Sequence, residues 1–166
     1  LRGQSVETKA GQMVVEGVEA PDFELPTETG TVQLKKLRGK LVVVYFYPKD
    51  DTSGCTAEAR DFNALREEFE SAGAELIGIS PDSVESHAKF RKKHGLSITL
   101  ASDQQKTAAE AYGVWVEKSM YGRKYMGVER STFLIDRDGK VAKVWRKVKV
   151  PGHARAVLKA VRELSA

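Results

Sequence analysis

Apolar positions along the chain follow two periods, and the changes between them mark the elements. The run 41–47, LVVVYFY, is apolar throughout and rich in β-branched and aromatic side chains. It predicts a strand covered on both faces, in the middle of a sheet. From Cys55 the period lengthens: Phe62, Leu65, Phe69 and Ala72 recur at three and four residues, and Gly73 follows. That spacing predicts one amphipathic helix with a glycine stop. AELIGIS (74–80) predicts the next strand. PDSVESHAKFRKKHG predicts a helix opened by Asp82 and Glu85 at capping-box spacing and closed by basic residues before Gly95.

The second half continues the alternation. SITLAS (97–102) predicts a short strand, and DQQKTAAEAYG a short helix with Asp103 as its cap and Gly113 as its stop. RSTFLID, the turn RDGK and VAKVWRKV predict a hairpin. A last amphipathic helix is expected from about Pro151, with Val157, Val161 and Leu164 on one stripe. The stretch FELPTETGTVQLKKLRGK (23–40) predicts a two-stranded or loop prelude. Strand and helix in turn, then hairpin and helix, give an α/β sandwich with a mixed sheet flanked by helices. No linker, repeat or low-complexity tract interrupts it, so one domain is expected over 1–166, with 1–19 as an N-terminal extension.

Composition narrows the classes. The 27 Lys+Arg against 23 Asp+Glu leave a net charge of +4, scattered apart from short clusters at 89–93 and 146–149. That is too little for a nucleic-acid partner. MYGRKYMG (120–127) interleaves tyrosines with basic residues; a turn around Gly122 bordering the site explains it better than base stacking. No apolar run reaches membrane-span length, and no signal-peptide core precedes it. The chain begins at Leu1 rather than Met, so a removed upstream targeting segment stays open. A single Cys excludes an internal disulfide and Cys-x-x-Cys motifs, and suits a reducing compartment, here the cytoplasm. His87 and His94 lie two helical turns apart, and neither has a Cys or paired carboxylate at ligand spacing. No metal site is expected. His153 is given no catalytic role, and Trp115 and Trp145 read as packing residues, Trp115 also as a candidate lining of a site entrance. Dinucleotide, phosphate-loop and nucleophile-elbow motifs are absent, so no cofactor is expected.

The chemistry concentrates at PKDDTSGCTAE. A lone cysteine on the face of Phe62 is often a small buried hydrophobe. Here it follows a polar turn and falls in the first turn of a helix, where unpaired N–H groups and the macrodipole favour thiolate. Gly54 permits close approach of another group to the backbone. Thr52 carries a hydroxyl three residues upstream, able to donate to an oxygen held near the sulfur, and Pro48 stiffens the turn and screens the thiol from water. These are components of an activated nucleophile with oxyanion-type donors in its own loop. Asp50, Asp51, Glu58 and Asp61 would oppose thiolate if they pointed inward, so a fixed cation is needed. Arg130, just before STFLID, is a candidate, although most arginines are solvated surface residues.

Pro48, Thr52 and Cys55 stand in the Pro-x-x-x-Thr-x-x-Cys spacing of peroxiredoxins. YFYPKDDTSGCTAE, with YGVWVEKSMYGRKYMGVERSTFLID, resembles the bacterioferritin comigratory protein, or peroxiredoxin Q, class from about Ala20 onward. The resemblance implies a thioredoxin-like fold and a thiol peroxidase acting on hydrogen peroxide and organic hydroperoxides. It implies Cys55 as peroxidatic thiol, Arg130 as active-site arginine, and Thr52, Gly54 and Arg130 around the substrate. No cofactor is implied.

Two departures qualify the resemblance. Arg60 stands five residues after Cys55, where the class often has a resolving cysteine, and Ser53 replaces a common Pro. The sulfenic acid must therefore meet an external thiol: thioredoxin, glutathione with glutaredoxin, or a small thiol. A monomer, at most a weak dimer, is expected. Two rivals remain from other classes: a peroxide sensor that passes oxidation to a partner by mixed disulfide, and a thioredoxin-fold binding module with an inert Cys55.

Overall fold

The structure is a computed structural model that describes residues 14–165. Its centre is a five-stranded mixed sheet in the order β5-β4-β3-β8-β9. The apolar run forms β3 (Leu41–Phe46), every residue buried, third of the five strands as its composition requires. It pairs in parallel with β4 (Ala74–Ser80) and antiparallel with β8 (Ser131–Ile135). β5 (Thr99–Ser102) continues the parallel side, and β9 (Val141–Trp145) closes the other edge as the predicted hairpin.

Alternation along β3 divides the core. Leu41, Val43, Tyr45 and Tyr47 face Cys55, Ala59 and Phe62 of α1 (Ser53–Ala64), Phe69 of α2 (Arg66–Ser71), Phe90 of α3 (Val84–His94), and Val157 and Val161 of α5 (His153–Ser165). Val42, Val44 and Phe46 face Ala108 and Ala109 of α4 (Thr107–Ala111), together with Phe23, Leu25 and Phe133. One strand thus supplies the floor of both layers. The prelude is the antiparallel pair β1 (Glu24–Thr27) and β2 (Gly30–Gln33). Residues 1–13 of the expected extension lie outside the described residues. From Val14, 1 % exposed, the chain is already packed, and Gly17 N–H donates to the Val141 carbonyl.

Four expectations are corrected. The helix after Cys55 is two: at Leu65 (φ −98°, ψ 5°) the N–H bonds to the Phe62 carbonyl three residues back, which ends α1. The cap of α3 is Ser83, whose hydroxyl accepts from Ser86 N–H; Asp82 instead binds Ser80 Oγ and Asp50 N–H. Leu164 is 39 % exposed, because Ala154, Val157, Leu158 and Val161 already fill the buried stripe. MYGRKYMG includes strand as well as turn: β6 (Trp115–Met120) and β7 (Arg123–Val128) pair around Gly122, with Tyr121 and Gly122 both at positive φ. Asp103 does serve α4, accepting from the N–H groups of Ala108 and Ala109, although the residue preceding the helix is Lys106.

One close approach matters for the site. Tyr45 lies across the sheet from Gly78, and a Cβ at Gly78 would sit 2.7 Å from the Tyr45 ring. That ring stacks on Phe62 of α1, centroids 4.7 Å apart. Gly78→Ala should therefore cost about 1–3 kcal/mol of stability by overpacking. Urea denaturation checks this; an unchanged midpoint would show that the ring can move aside.

Candidate active site

β3 ends at Phe46, and residues 47–52 form the loop that leads into α1, whose first turn carries Cys55. Pro48 is half-buried at the exit of the strand. The loop is fastened to α3. The Asp50 carboxylate accepts from Tyr47 Oη (2.6 Å) and Ser86 Oγ (2.8 Å) and pairs with His87 Nδ1 (2.7 Å), while its N–H donates to Asp82 (2.8 Å). Asp51 takes a left-handed conformation, φ 62°, and its carboxylate meets Lys93 and His94 at the end of α3. The His94 and Lys93 hydrogen bonds hold that carboxyl below its ordinary range. Two of the four acids near the thiol are thus turned toward α3, and Asp61 is exposed. Only Glu58 is turned inward.

Cys55 is 1 % exposed. Arg130, between β7 and β8, places Nη2 3.4 Å from Cys55 Sγ and Nη1 2.7 Å from Glu58 Oε1. Its own carbonyl accepts from Val148 N–H. Gly54 makes the approach possible: a Cβ there would meet Arg130 Nη2 at 3.1 Å. Thr52 stands before the helix, and its Oγ1 donates to the Lys49 carbonyl at 3.0 Å. The Thr56 N–H bonds back to the Thr52 carbonyl, so the N–H of Cys55, one residue earlier, belongs to the unpaired first turn.

The surroundings set the charge. Burial pushes the Glu58 carboxyl up to about 7 against the pull of Arg130, with a smaller push from Asp61. Burial dominates the environment of Arg130, but Glu58 and Cys55 hold its net shift upward. Burial and Arg130 shift Lys118 on β6 downward. His153 falls to about 4 through burial and Arg130, and shares a 2.8 Å hydrogen bond with Thr132. It is neutral at neutral pH. Trp115 packs in the second core layer with Lys106 over its ring, and Trp145 packs on His153.

Sequence reasoning misses two groupings. Asp50 and Asp82 reach His87 from other segments, with ligand-type atoms within 4.8 Å of one another among the described residues. Those atoms already bond to one another and to Tyr47, Ser80 and Ser86. The second is the pairing of Glu58 with Arg130: the sequence names Glu58 only as one of four acids that could oppose thiolate, although its spacing of three from Cys55 on α1 puts it on the same side of the helix. An open groove of about 550 Å³, lined by Ala20, Leu34, Val42 and Ile135, lies at the other end of β3 from the thiol.

Residues 17–144 match the AhpC/TSA family. The chain belongs to the AhpC/TSA family. It is 49 % identical over 150 residues to the peroxiredoxin Bcp of Bacillus subtilis, covering 90 % of this chain and 96 % of that one. It is 41 % identical over 145 residues to the peroxiredoxin Bcp of Escherichia coli, covering 87 % and 93 %. Among solved structures, the bacterioferritin comigratory protein of Xanthomonas campestris, studied for its alkyl peroxide reduction activity, superposes with a TM-score of 0.86. It is 44 % identical, over 92 % of this chain and 100 % of that one. The expected fold and class are thereby borne out: this is a thioredoxin-like peroxiredoxin of the Bcp, or peroxiredoxin Q, class, a thiol-dependent peroxidase. Its one cysteine fits a one-Cys reaction. No described helix is long and apolar enough to cross a membrane.

Proposed function

We propose that Cys55 reduces hydrogen peroxide and organic hydroperoxides in a one-Cys cycle completed by an external thiol. The observation that carries this is the 3.4 Å contact of Arg130 Nη2 with Cys55 Sγ at an unpaired helix start. The thiolate attacks one peroxide oxygen in line with the O–O bond. Arg130 and the Cys55 N–H hold the oxygens as charge moves to the leaving group. The Thr52 hydroxyl proton is engaged by the Lys49 carbonyl, so in place of the donor role expected from the sequence its lone pairs accept from the peroxide O–H. Gly54 keeps Arg130 in reach, and Pro48 screens the sulfur. No metal or organic cofactor takes part.

The product is Cys55 sulfenic acid. Arg60 is exposed on α1 and offers no thiol, so a second thiol from solution forms a mixed disulfide with release of water, and another frees Cys55. With the sulfur 1 % exposed, a protein donor such as thioredoxin or glutaredoxin requires the first turn of α1 to open. Glutathione or a smaller thiol demands less. The enzyme acts as a monomer in a reducing, cytoplasmic setting.

One equivalent of peroxide should add a single oxygen to the chain, trapped by a sulfenic-acid reagent, with no loss of two protons. Excess peroxide without a donor should carry Cys55 on to sulfinic and sulfonic acids and stop turnover. Non-reducing mass spectrometry checks both, and a predominant covalent dimer through Cys55 would sink the external-thiol cycle. The single cysteine also favours a sensor as second reading. Steady-state peroxide consumption with each candidate thiol decides, since a sensor oxidises once and does not turn over.

A further inference from the structure

Glu58 is 1 % exposed, one turn after Cys55 on α1. Its Oε1 accepts from Arg130, while its Oε2 is buried without a hydrogen-bond partner among the described residues. Arg130 therefore serves two acids at once, the Cys55 thiol on Nη2 and the Glu58 carboxyl on Nη1. One cation balances one anion. If both acids ionised, a net negative charge would be held out of water, which a buried site strongly disfavours. The orphaned Oε2 agrees, since an unpartnered oxygen held out of water costs far more on a charged carboxylate than on a neutral carboxyl.

We propose that the resting site holds one proton, resident on Glu58 while Cys55 is thiolate, and that this proton leaves with the oxygen expelled from the hydroperoxide. The proposal rests on the peroxidase reading above and adds the source of the proton to it. In the step, sulfur bonds to the terminal oxygen of R–O–O–H and the O–O bond breaks. Thiolate is oxidised to sulfenic acid by two electrons, and the peroxide is reduced. The alkoxide takes the Glu58 proton and departs as alcohol, leaving Glu58 as carboxylate paired with Arg130. Charge is −1 for thiolate before the step and −1 for carboxylate after it. When an external thiol later regenerates the Cys55 thiol, its proton returns to Glu58, and the cycle closes.

The neighbours of Glu58 support this assignment. Cys55 and Asp61 lie on its own helix, Tyr45 faces it from β3, and Arg130 faces it from the β7–β8 connection. Tyr45 is held protonated by burial, and its hydroxyl also lacks a partner. Lys118 and His153 face Arg130, and His153 is uncharged at neutral pH. Burial, outweighing Arg130, lifts Glu58 to about 7, where a carboxyl can both hold and release a proton under ordinary conditions.

Infrared difference spectroscopy of the wild-type chain tests it directly. One equivalent of ethyl hydroperoxide should remove the carbonyl band of a protonated carboxyl, and ¹³C-labelled glutamate should shift that band. In parallel, Glu58→Gln keeps an oxygen for Arg130 but carries no exchangeable acid. It should slow ethyl hydroperoxide on the order of a hundredfold and leave peracetic acid nearly unaffected, because acetate departs without a proton. A wild-type spectrum with no carboxyl band lost would overturn the proposal. So would equal slowing of both peroxides, which would reduce Glu58 to a support for Arg130. A wild-type chain that consumed neither peroxide would instead remove the peroxidase reading, and this one with it.

Discussion

Cys55→Ser should consume no hydroperoxide above the uncatalysed background and should keep its fold. The sulfur lies 1 % exposed against the Tyr45, Ala59 and Phe62 layer, where a hydroxyl of nearly the same shape fits. Burying that hydroxyl costs about 1–3 kcal/mol if it finds no partner, and Arg130 Nη2 is within reach to donate to it. Chemically the change is far larger. A serine hydroxyl ionises far less readily than a thiol, and its oxygen cannot pass through the sulfenic state that the reaction requires. Rapid-mixing measurements should find a loss of about 10⁶-fold, the scale seen when an enzyme loses its nucleophile. Circular dichroism and the urea midpoint should stay near wild type. Turnover retained by a folded Cys55→Ser chain would remove the nucleophile assignment, since the sequence has no second cysteine to take over.

The parts of this site that could be read from sequence are those fixed by local periodicity. The all-apolar run 41–47 could only be a covered strand, and the shift in period after Cys55 located a helix start behind it. Local pattern does not report tertiary partners. Asp50, Asp51 and Glu58 look alike in the sequence, yet the first two are drawn toward α3 by His87, Lys93 and His94, and Glu58 alone is buried beside Arg130. The break at Leu65 was invisible because Phe62, Leu65 and Phe69 keep helical spacing across it and are all buried. The strands β6 and β7 were missed for the opposite reason. Met120, Tyr121, Tyr125 and Met126 are exposed, so no alternation between core and solvent marked them. Arg130 was legible as a candidate only, because its reach depends on the absence of a Cβ at Gly54, 76 positions earlier by 130 − 54.

Arg130→Ala should slow the reaction with hydroperoxide about a hundred- to thousandfold, or about 2.7–4 kcal/mol of transition-state stabilisation. The guanidinium contacts the sulfur, and in the proposed step it lies beside the reacting oxygens, so its loss would remove both a hydrogen bond and the positive charge from the step in which charge moves. Such a variant also strands Glu58, 1 % exposed, without the one cation that bonds it among the described residues. Breaking one side of a buried pair costs about 3–5 kcal/mol, unless the remaining acid protonates. A low rate alone would therefore not separate catalysis from damage to the fold. The double variant Arg130→Ala/Glu58→Gln does, because glutamine removes the stranded acid. Its urea midpoint should recover toward wild type while its rate with peracetic acid, the oxidant that Glu58→Gln alone leaves nearly unaffected, stays low. Recovery of both stability and rate would mean that Arg130 serves only to neutralise Glu58. Recovery of stability alone, with stopped-flow fluorescence still showing peracetic acid reduced far more slowly than by the Glu58→Gln single variant, supports Arg130 acting on the reacting oxygens themselves.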